Sequence, residues 1–559
     1  MSFKRINNIT GWIVCIIACA VYIMTMEATG SLWDCGEFAS SAYKLQVPHS
    51  PGAPFFVLIG RLFMAPFDAD HAATGINLMS ALASGFTILF LFWSITHFAR
   101  KLVMKNGGEL TSEKIYGIMA AGIVGSLAYT FSDSFWYSAV EGEVYALSSF
   151  FTAVLFWAML KWENDIDAEH QQNIKGHFTR ADRWIILIFF LAGLSIGVHL
   201  LNLLIIPAVV MIYYFKRYKV TKWGAFFAFL IGCLITGLVQ KAMIQWAISL
   251  AGNFDVFFVN SMGLPFFSGF AFFFILIAAI LYFGLKTANK RNWNFLKLGI
   301  WGFAFMMLGC FTSYFTTLAR SNADVALDMG NVDNPMSLNA YLAREQYGDW
   351  PILYGQDFTA QIQDTKVTET YIRSNGKYEK NGRKVEYVYA PEDMHIFPRM
   401  WDQSNDQGHA DYYANWMQIG KDQQGNWERP PTMGENIRFA MAYQVGWMYL
   451  RYFMWNFAGK QNDIQGVYMG NVRDGNWKTG IGFLDNIRLG DQGTLPDSLK
   501  KNKANNKLFA LPLILGILGL VFQFMKDRRD SLVVALLFFF TGLAVVFYLN
   551  QAGNQPRER

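Results

Sequence analysis

Apolar runs long enough to cross a hydrocarbon core of roughly 30 Å recur along this chain, separated by short polar stretches rich in Lys and Arg. Lys4 and Arg5 put the N-terminus inside, so the first run, residues 10–26, delivers the following loop to the outside. The run at 74–99 returns to a basic inside loop of Arg100, Lys101, Lys105 and Lys114. Between them, "APFFVLIGRLFMAPF" is short and interrupted by Arg61, which predicts an interfacial or re-entrant helix. A third run ends outside near "SDSFWYSAVEGEVY", and a fourth returns to Lys161, Lys175, Arg180 and Arg183.

The next run, "WIILIFFLAGLSIGVHLLNLLIIPAVVMIYYF", has Arg180 and Arg183 before it and Lys216, Arg217 and Lys219 after it. Both ends are therefore inside, and the segment must turn around His199 to Asn202 as two half-length helices. Runs at 223–239, 266–285 and 296–318 alternate around Lys286, Lys290 and Arg291. The chain then turns polar from Arg320 to about Asn506, apart from an amphipathic aromatic stretch at 439–459 that is expected to lie in the membrane interface. A last hairpin flanks Lys526, Arg528 and Arg529 on the inside and leaves "NQAGNQPRER" outside. The expected fold class is mainly α, a polytopic membrane protein of about ten or eleven spans. Its divisions fall at residues 1–320, a mixed or α/β extracytoplasmic region at 321–506, and a hairpin at 507–559.

Composition agrees: 53% hydrophobic and 17% aromatic against 16% charged residues is far from the balance of a soluble domain. The net charge of +5 then reads as topology, and no nucleic-acid partner is expected. The start resembles a signal peptide, with an Ala18-Cys19-Ala20 step, but is read as a retained first span because many spans follow. None of the five cysteines forms a CxxC or a disulfide pattern, so neither a metal centre nor a bridged scaffold is expected.

Topology gathers the unusual polar residues on the outer side, where costly ionisable groups near a membrane imply a site. Asp34 and Glu37 in "SLWDCGEF" share a helix face at i,i+3. They read either as a helix start, with Ser31 or Asp34 as cap, or as a catalytic pair in a loop stiffened by Pro48, Pro51 and Pro54. Glu141, Glu143 and Tyr145 in "WYSAVEGEVYAL" read as an aromatic belt with solvated acids or as an acceptor or lipid site. His199 and Asn202 satisfy a half-helix end or line that same site. Arg320, Arg344, Arg557 and Arg559 are surface anchors or phosphate ligands.

Five stretches carry a resemblance: "WDCGEFASSAYKLQVPHSPGAPFFVLIGRLF", "GLSIGVHLLNLL", "YLAREQYGDWPILYG", "YLRYFMWNFAGKQND" and "YLNQAGNQPRER". With them the whole chain resembles the bacteroidete-type membrane family called domain of unknown function 2723, similar in its core to the eukaryotic transmembrane protein 260 O-mannosyltransferases. The resemblance implies a GT-C glycosyltransferase of the bacterial inner membrane, working on the periplasmic side. Its donor would be a polyprenyl-phosphate hexose, most simply mannose, and its acceptor a Ser or Thr of an exported protein. Asp34 occupies the position of the catalytic acid of the first outer loop, with Glu37 beside it; His49, Arg320 and Arg61 are then expected to meet the donor phosphate, and the apolar spans the isoprenoid. No cofactor is required, although carboxylates near a phosphate can hold a divalent cation weakly. The rival readings are a transporter or flippase of lipid-linked sugar, an envelope glycan ligase, and a non-catalytic assembly factor.

Overall fold

The computed structural model describes residues 2–105, 107, 109–348, 350–404, 408–466 and 470–553. The chain divides into two compact units, the first of Met1–Tyr347, Thr370–Asn381 and Asp527–Leu537, the second of Gly348–Glu369, Gly382–Lys526 and Phe538–Arg559.

The first unit is a helical bundle. In order it contains α1 (Phe3–Thr25), α2 (Cys35–Lys44), α3 (Pro54–Met64), α4 (Ala72–Met104), α5 (Ser112–Thr130), α6 (Asp133–Ala139), α7 (Val144–Gln171), α8 (Arg183–Ile196) and α9 (Ile206–Arg217). There follow α10 (Lys222–Leu238), α11 (Ala247–Met262), α12 (Ser268–Lys290), α13 (Asn294–Ser321) and α14 (Pro335–Ala343). Across the described residues eight helices are long and apolar enough to cross a membrane, or nine if α5 and α6, bent by 69°, make one span. The expected ten or eleven included shorter apolar helices such as α8, whose 14 residues reach only about 21 Å.

A second difference lies at residues 222–262. The sequence pattern predicts a span ending near 239, yet α10 and α11 run on as one 41-residue helix through the π-helical stretch Val239–Trp246. At 1.5 Å per residue this is about 60 Å, twice a hydrocarbon core, before α12 turns back to pack against α11. The turn is fixed by buried Asp255, whose carboxylate accepts the N–H groups of Phe267, Gly269 and Phe270 at 2.9–3.2 Å.

The half-length hairpin is present. α8 stops at Gly197, and after His199 the 3-10 turn Leu200–Ile205 leads into α9. The guanidinium of Arg217 meets Asp182 at 2.8 Å, with both side chains almost fully buried (3% and 1% exposed), so the segment ends where it began. α13 packs against α8 through glycines: a Cβ at Gly193 would strike the backbone of Met306, and one at Gly309 the backbone of Phe190, which is how helices approach closely in lipid. Near that same end, Glu163 of α7 binds His97 (3.0 Å), Lys101 (2.7 Å) and Lys216 (3.1 Å), and Lys101 also binds Asp530 of α21 (Arg528–Thr541) at 2.7 Å.

The second unit holds the little β structure of the chain and its own core. β1 (Tyr354–Gln356) pairs antiparallel with β4 (Met394–Ile396), and β2 (Ile362–Ser374) pairs with β3 (Lys377–Tyr389) in a long hairpin. Asn375 and Gly376 at its turn both have positive φ, as an Asn-Gly hairpin turn requires. The hairpin's tip belongs to the first unit, where the Tyr378 hydroxyl donates to Asp255 at 2.7 Å. The core of the second unit is aromatic: Phe358 and Tyr413 of α15 (His409–Met417) pack on α16 (Met433–Phe439) and the π-helical stretch that joins it to α17 (Arg451–Phe457). One face of the 439–459 stretch, which is expected in the interface, belongs to this core, with Phe439, Tyr443, Trp447 and Trp455 buried, while Met441 and Leu450 on the other side are exposed. Arg451 is buried within it, its guanidinium over the rings of Trp447, Tyr452 and Trp455.

Arg217→Met leaves Asp182 buried without its ion partner and is expected to cost about 3–5 kcal/mol. Arg183→Met removes a pair with Asp165 that is half exposed and should cost less than about 1 kcal/mol. Thermal unfolding of the two variants in detergent compares them.

Candidate active site

Trp33, with φ of 60°, sits in the left-handed region that a bulky side chain rarely occupies, and it turns the chain sharply into α2. Asp34 stands at the N-cap of that helix but its side chain accepts no capping hydrogen bond. Glu37, one turn on, does not reach back to the helix start either. Its two oxygens take the backbone N–H of His49 at 2.6 Å and the ring Nδ1 of His49 at 2.8 Å. The other ring nitrogen, Nε2, faces Asp34 at 3.9 Å. Of the two readings of the acid pair, the helix-capping one is therefore not realised. Asp34 is the open member, 55% exposed against 24% for Glu37 and 26% for His49.

His49 is held there by its loop. Prolines cannot donate, so within "VPHSPG" the Gly52 N–H bonds His49 O at 2.8 Å, while other carbonyls there and at the end of α2 find donors elsewhere. Arg320 Nε donates to Leu45 O at 2.7 Å, and its Nη2 to Lys44 O at 3.3 Å. Val47 exchanges hydrogen bonds with Leu327 and Met329 at 3.0 Å. The Tyr341 hydroxyl donates to Pro48 O, and the Tyr347 hydroxyl to Ser50 O at 3.3 Å. Gly52 has φ of 84°, and a Cβ there would collide with the Tyr341 hydroxyl. Beyond it, the free N–H groups of Phe55 and Phe56 at the start of α3 both donate to Gly197 O, where α8 breaks.

The hydrogen bond from Glu37 raises the pKa of His49 above the ordinary imidazole value, against the opposing effect of burial. Burial would raise Glu37, but its bonds from the His49 ring and backbone outweigh it and hold the carboxylate below its usual range. Each partner thus favours the charged form of the other, with Asp34 alongside. Arg344 lies within electrostatic reach of both His49 and His199. It has φ of 58° at the end of α14, and its guanidinium covers the Tyr347 ring at 4.7 Å; among the described residues it has no carboxylate partner.

The other predicted residues divide. Glu141 and Glu143 are buried, not solvated: Glu141 accepts the Ser31 hydroxyl at 2.9 Å, while Glu143 caps α7 at Val144 and faces the Cys35 thiol at 3.9 Å. They anchor the two ends of "SLWDC". Tyr145 is partly exposed, its ring 5.6 Å from that of His199. His199 accepts the N–H of Leu201 and so caps the 3-10 turn, while buried Asn202 accepts the hydroxyls of Ser148 and Thr152 of α7. Arg61 lies over the Tyr43 ring at 5.3 Å and is not among the groups around Glu37 and His49. Arg320 is spent on the loop's carbonyls. Arg557 and Arg559 lie outside the described residues. The donor atoms of Asp34, Glu37 and His49 all fall within 4.8 Å of one another, and among the described residues these are the side chains able to hold a divalent ion. Sequence reasoning missed Tyr341 and Tyr347; the signal was their place beside Arg344 in "YLAREQY", just past the last long span of the bundle.

The class these features define is a multi-pass helical membrane protein with an acid, an imidazole and a guanidinium gathered at one end of its bundle. Residues 34–222 match the family described as the protein O-mannosyl-transferase TMEM260 N-terminal domain, a stretch that begins at Asp34 and ends just past the half-length hairpin. Residues 348–441, in the second unit, match a family of unknown function (DUF8416). Over 155 residues the chain is 26% identical to the mouse (Mus musculus) protein O-mannosyl-transferase TMEM260, covering 28% of this chain and 20% of the mouse protein. Over 213 residues it is 25% identical to the protein of the same name from Dictyostelium discoideum, covering 37% of this chain and 24% of that one. The matched stretches thus span about a fifth to a quarter of those relatives. No solved structure matches.

Because His49 is raised and Glu37 lowered in the folded state, their pairing stabilises most between about pH 4.5 and 6.5, and this stabilisation is lost as pH rises through the elevated His49 pKa. The melting temperature of the wild type should therefore exceed that of Glu37→Gln most near about pH 6, with the gap narrowing toward about pH 9.

Proposed function

We propose that this chain is a GT-C glycosyltransferase of the bacterial inner membrane, in the family called domain of unknown function 2723, with its site on the periplasmic side. It moves a hexose, mannose by analogy with the named activity of its relatives, from a polyprenyl-phosphate carrier to Ser or Thr of exported proteins. The observation that carries this reading is Asp34: an exposed carboxylate, uncommitted to capping, at the first residue matched by the O-mannosyl-transferase domain.

Asp34 takes the proton of the acceptor hydroxyl as its oxygen attacks the anomeric carbon. The bond from that carbon to the phosphate oxygen breaks, and the lipid phosphate leaves with the electron pair. One displacement from one face inverts the configuration, and a positioned base contributes typically 10²–10⁴-fold. Glu37 holds the His49 imidazolium close to Asp34, keeping a positive charge where the phosphate's negative charge grows. Arg344 supplies the further cation, and its packing on Tyr347 limits its motion. This reassigns the phosphate role from Arg320 and Arg61, whose side chains are engaged elsewhere. In this reading side chains carry every step and no cofactor is required, although Asp34, Glu37 and His49 could hold a divalent cation weakly.

Purified protein assayed with polyprenyl-phosphate mannose and an exported-protein acceptor should transfer label, and Asp34→Asn should lower the rate about 10²–10⁴-fold. Asp68→Asn, an exposed acid bound to His71, should leave it unchanged. Full transfer by Asp34→Asn would sink the assignment. In the same assay Arg344→Gln should lower kcat/KM for the lipid donor about 10–100-fold, the worth of a charged hydrogen bond to phosphate.

A further inference from the structure

The second unit carries a short amphipathic helix, α18 (Gly482–Leu489), mounted with its apolar face outward. Its polar side is fastened down. Buried Asp485 accepts the N–H groups of Thr479 and Gly480 and the Thr479 hydroxyl at 2.7–2.9 Å. Arg488 lies over the Trp477 ring, 3.7 Å from its centroid, and Leu489 is buried. What remains exposed is large and apolar: Phe483 is 74% exposed, Ile487 72%, and Leu484 and the preceding Ile481 are also open.

The chain itself indicates what covers this face. Thr479, at the foot of α18, accepts the N–H of Phe509 at 2.9 Å, and the side chain of Lys507 packs where Gly480 lacks one. Phe509 comes two residues before α20 (Leu511–Lys526), a helix of sequence "LPLILGILGLVFQFMK" with no residue buried in the protein, which is the composition of a lipid-facing helix. The apolar face of α18 is thus tied to the point where the chain enters lipid. Beside it, following the short helix α19 (Asp497–Lys500), a cavity of about 260 Å³ is lined by Lys478, Lys500 and Lys507 with the amides of Gln461, Gln492 and Asn505. None of the three lysines makes an ion pair among the described residues, and no carboxylate is among the residues that line the cavity.

We propose that residues 478–507 form a docking site for anionic phospholipid: Phe483, Leu484 and Ile487 enter the boundary between headgroups and acyl chains, and Lys478, Lys500 and Lys507 hold the lipid phosphate. An amphipathic helix with lysines at its flank binds bilayers through these two contributions together. The site is separate from Asp34 and does not rest on the proposed transfer reaction.

The test uses the full chain with its five native cysteines replaced and an environment-sensitive fluorophore on Ile487→Cys, reconstituted in bilayers. With phosphatidylglycerol present, emission should shift to the blue, resist aqueous iodide, and fall by about half or more with lipids that carry a doxyl group near the top of the acyl chain, the depth of about 5–10 Å at which interfacial helices lie. In phosphatidylcholine alone, or with Lys478, Lys500 and Lys507 all changed to Gln, the quenching by doxyl lipid should weaken at least about twofold. A probe open to iodide and untouched by doxyl lipid overturns the proposal. Shielding from iodide without doxyl quenching assigns the face to a protein partner and overturns it too. Quenching that ignores both phosphatidylglycerol and the lysine changes overturns the phosphate site.

Discussion

The proline-rich turn that carries His49 makes one hydrogen bond of its own, from Gly52 to His49 O, and the rest of the site follows from where its other carbonyls and those at the end of α2 go. Arg320, Tyr341 and Tyr347 reach them from the end of α13, from α14 and from the turn beyond it. Each bond restricts the turn further, until the imidazole has Glu37 on one side and Asp34 on the other. A loop made of ordinary turn residues would bond within itself and keep its freedom. This one adds distant bonds to its local one, and so its geometry is tied to the packing of the bundle.

The broken hairpin takes part in the same restraint. An unbroken helix would have no carbonyl to spare at Gly197, because each would be accepting a bond from the next turn. Stopping α8 there frees one acceptor, and the start of α3, which has donors to spare, takes it. The buried Arg217–Asp182 pair closes the far side of the hairpin, so the break stays at a fixed depth. Irregular backbone inside a membrane protein is tolerated where protein covers it, and here what covers it is the element that follows the His49 loop.

Much of this was legible in the sequence because hydropathy and the placement of Lys and Arg are local signals. They gave the helical class, the turn near His199, and the shared end of Asp34 and Arg344. What they could not give was partner choice. That Glu37 would turn to His49, away from the helix start, depends on a loop whose shape is set by residues nearly three hundred positions away. The continuous helix through 239–246 was hidden because polar residues such as Gln240 and Lys241 read as an exit from the membrane, although a helix can run on through them. At 439–459 the aromatic, amphipathic pattern announced an apolar face, but not that Phe439, Tyr443 and Trp447 would pack into the interior of a small unit.

The clamp on the His49 loop also sets an order of assembly. Tyr341 is separated from Pro48 by 293 positions, so at ordinary rates of synthesis it leaves the ribosome about 15–60 s after the loop it must hold. During that interval the acids and the imidazole are already in the chain, but the tyrosine that clamps the turn has yet to be made. The centre is written near the beginning of the chain and completed only when α14 folds, so a nascent chain passes most of its time in the membrane before its reactive groups acquire their geometry.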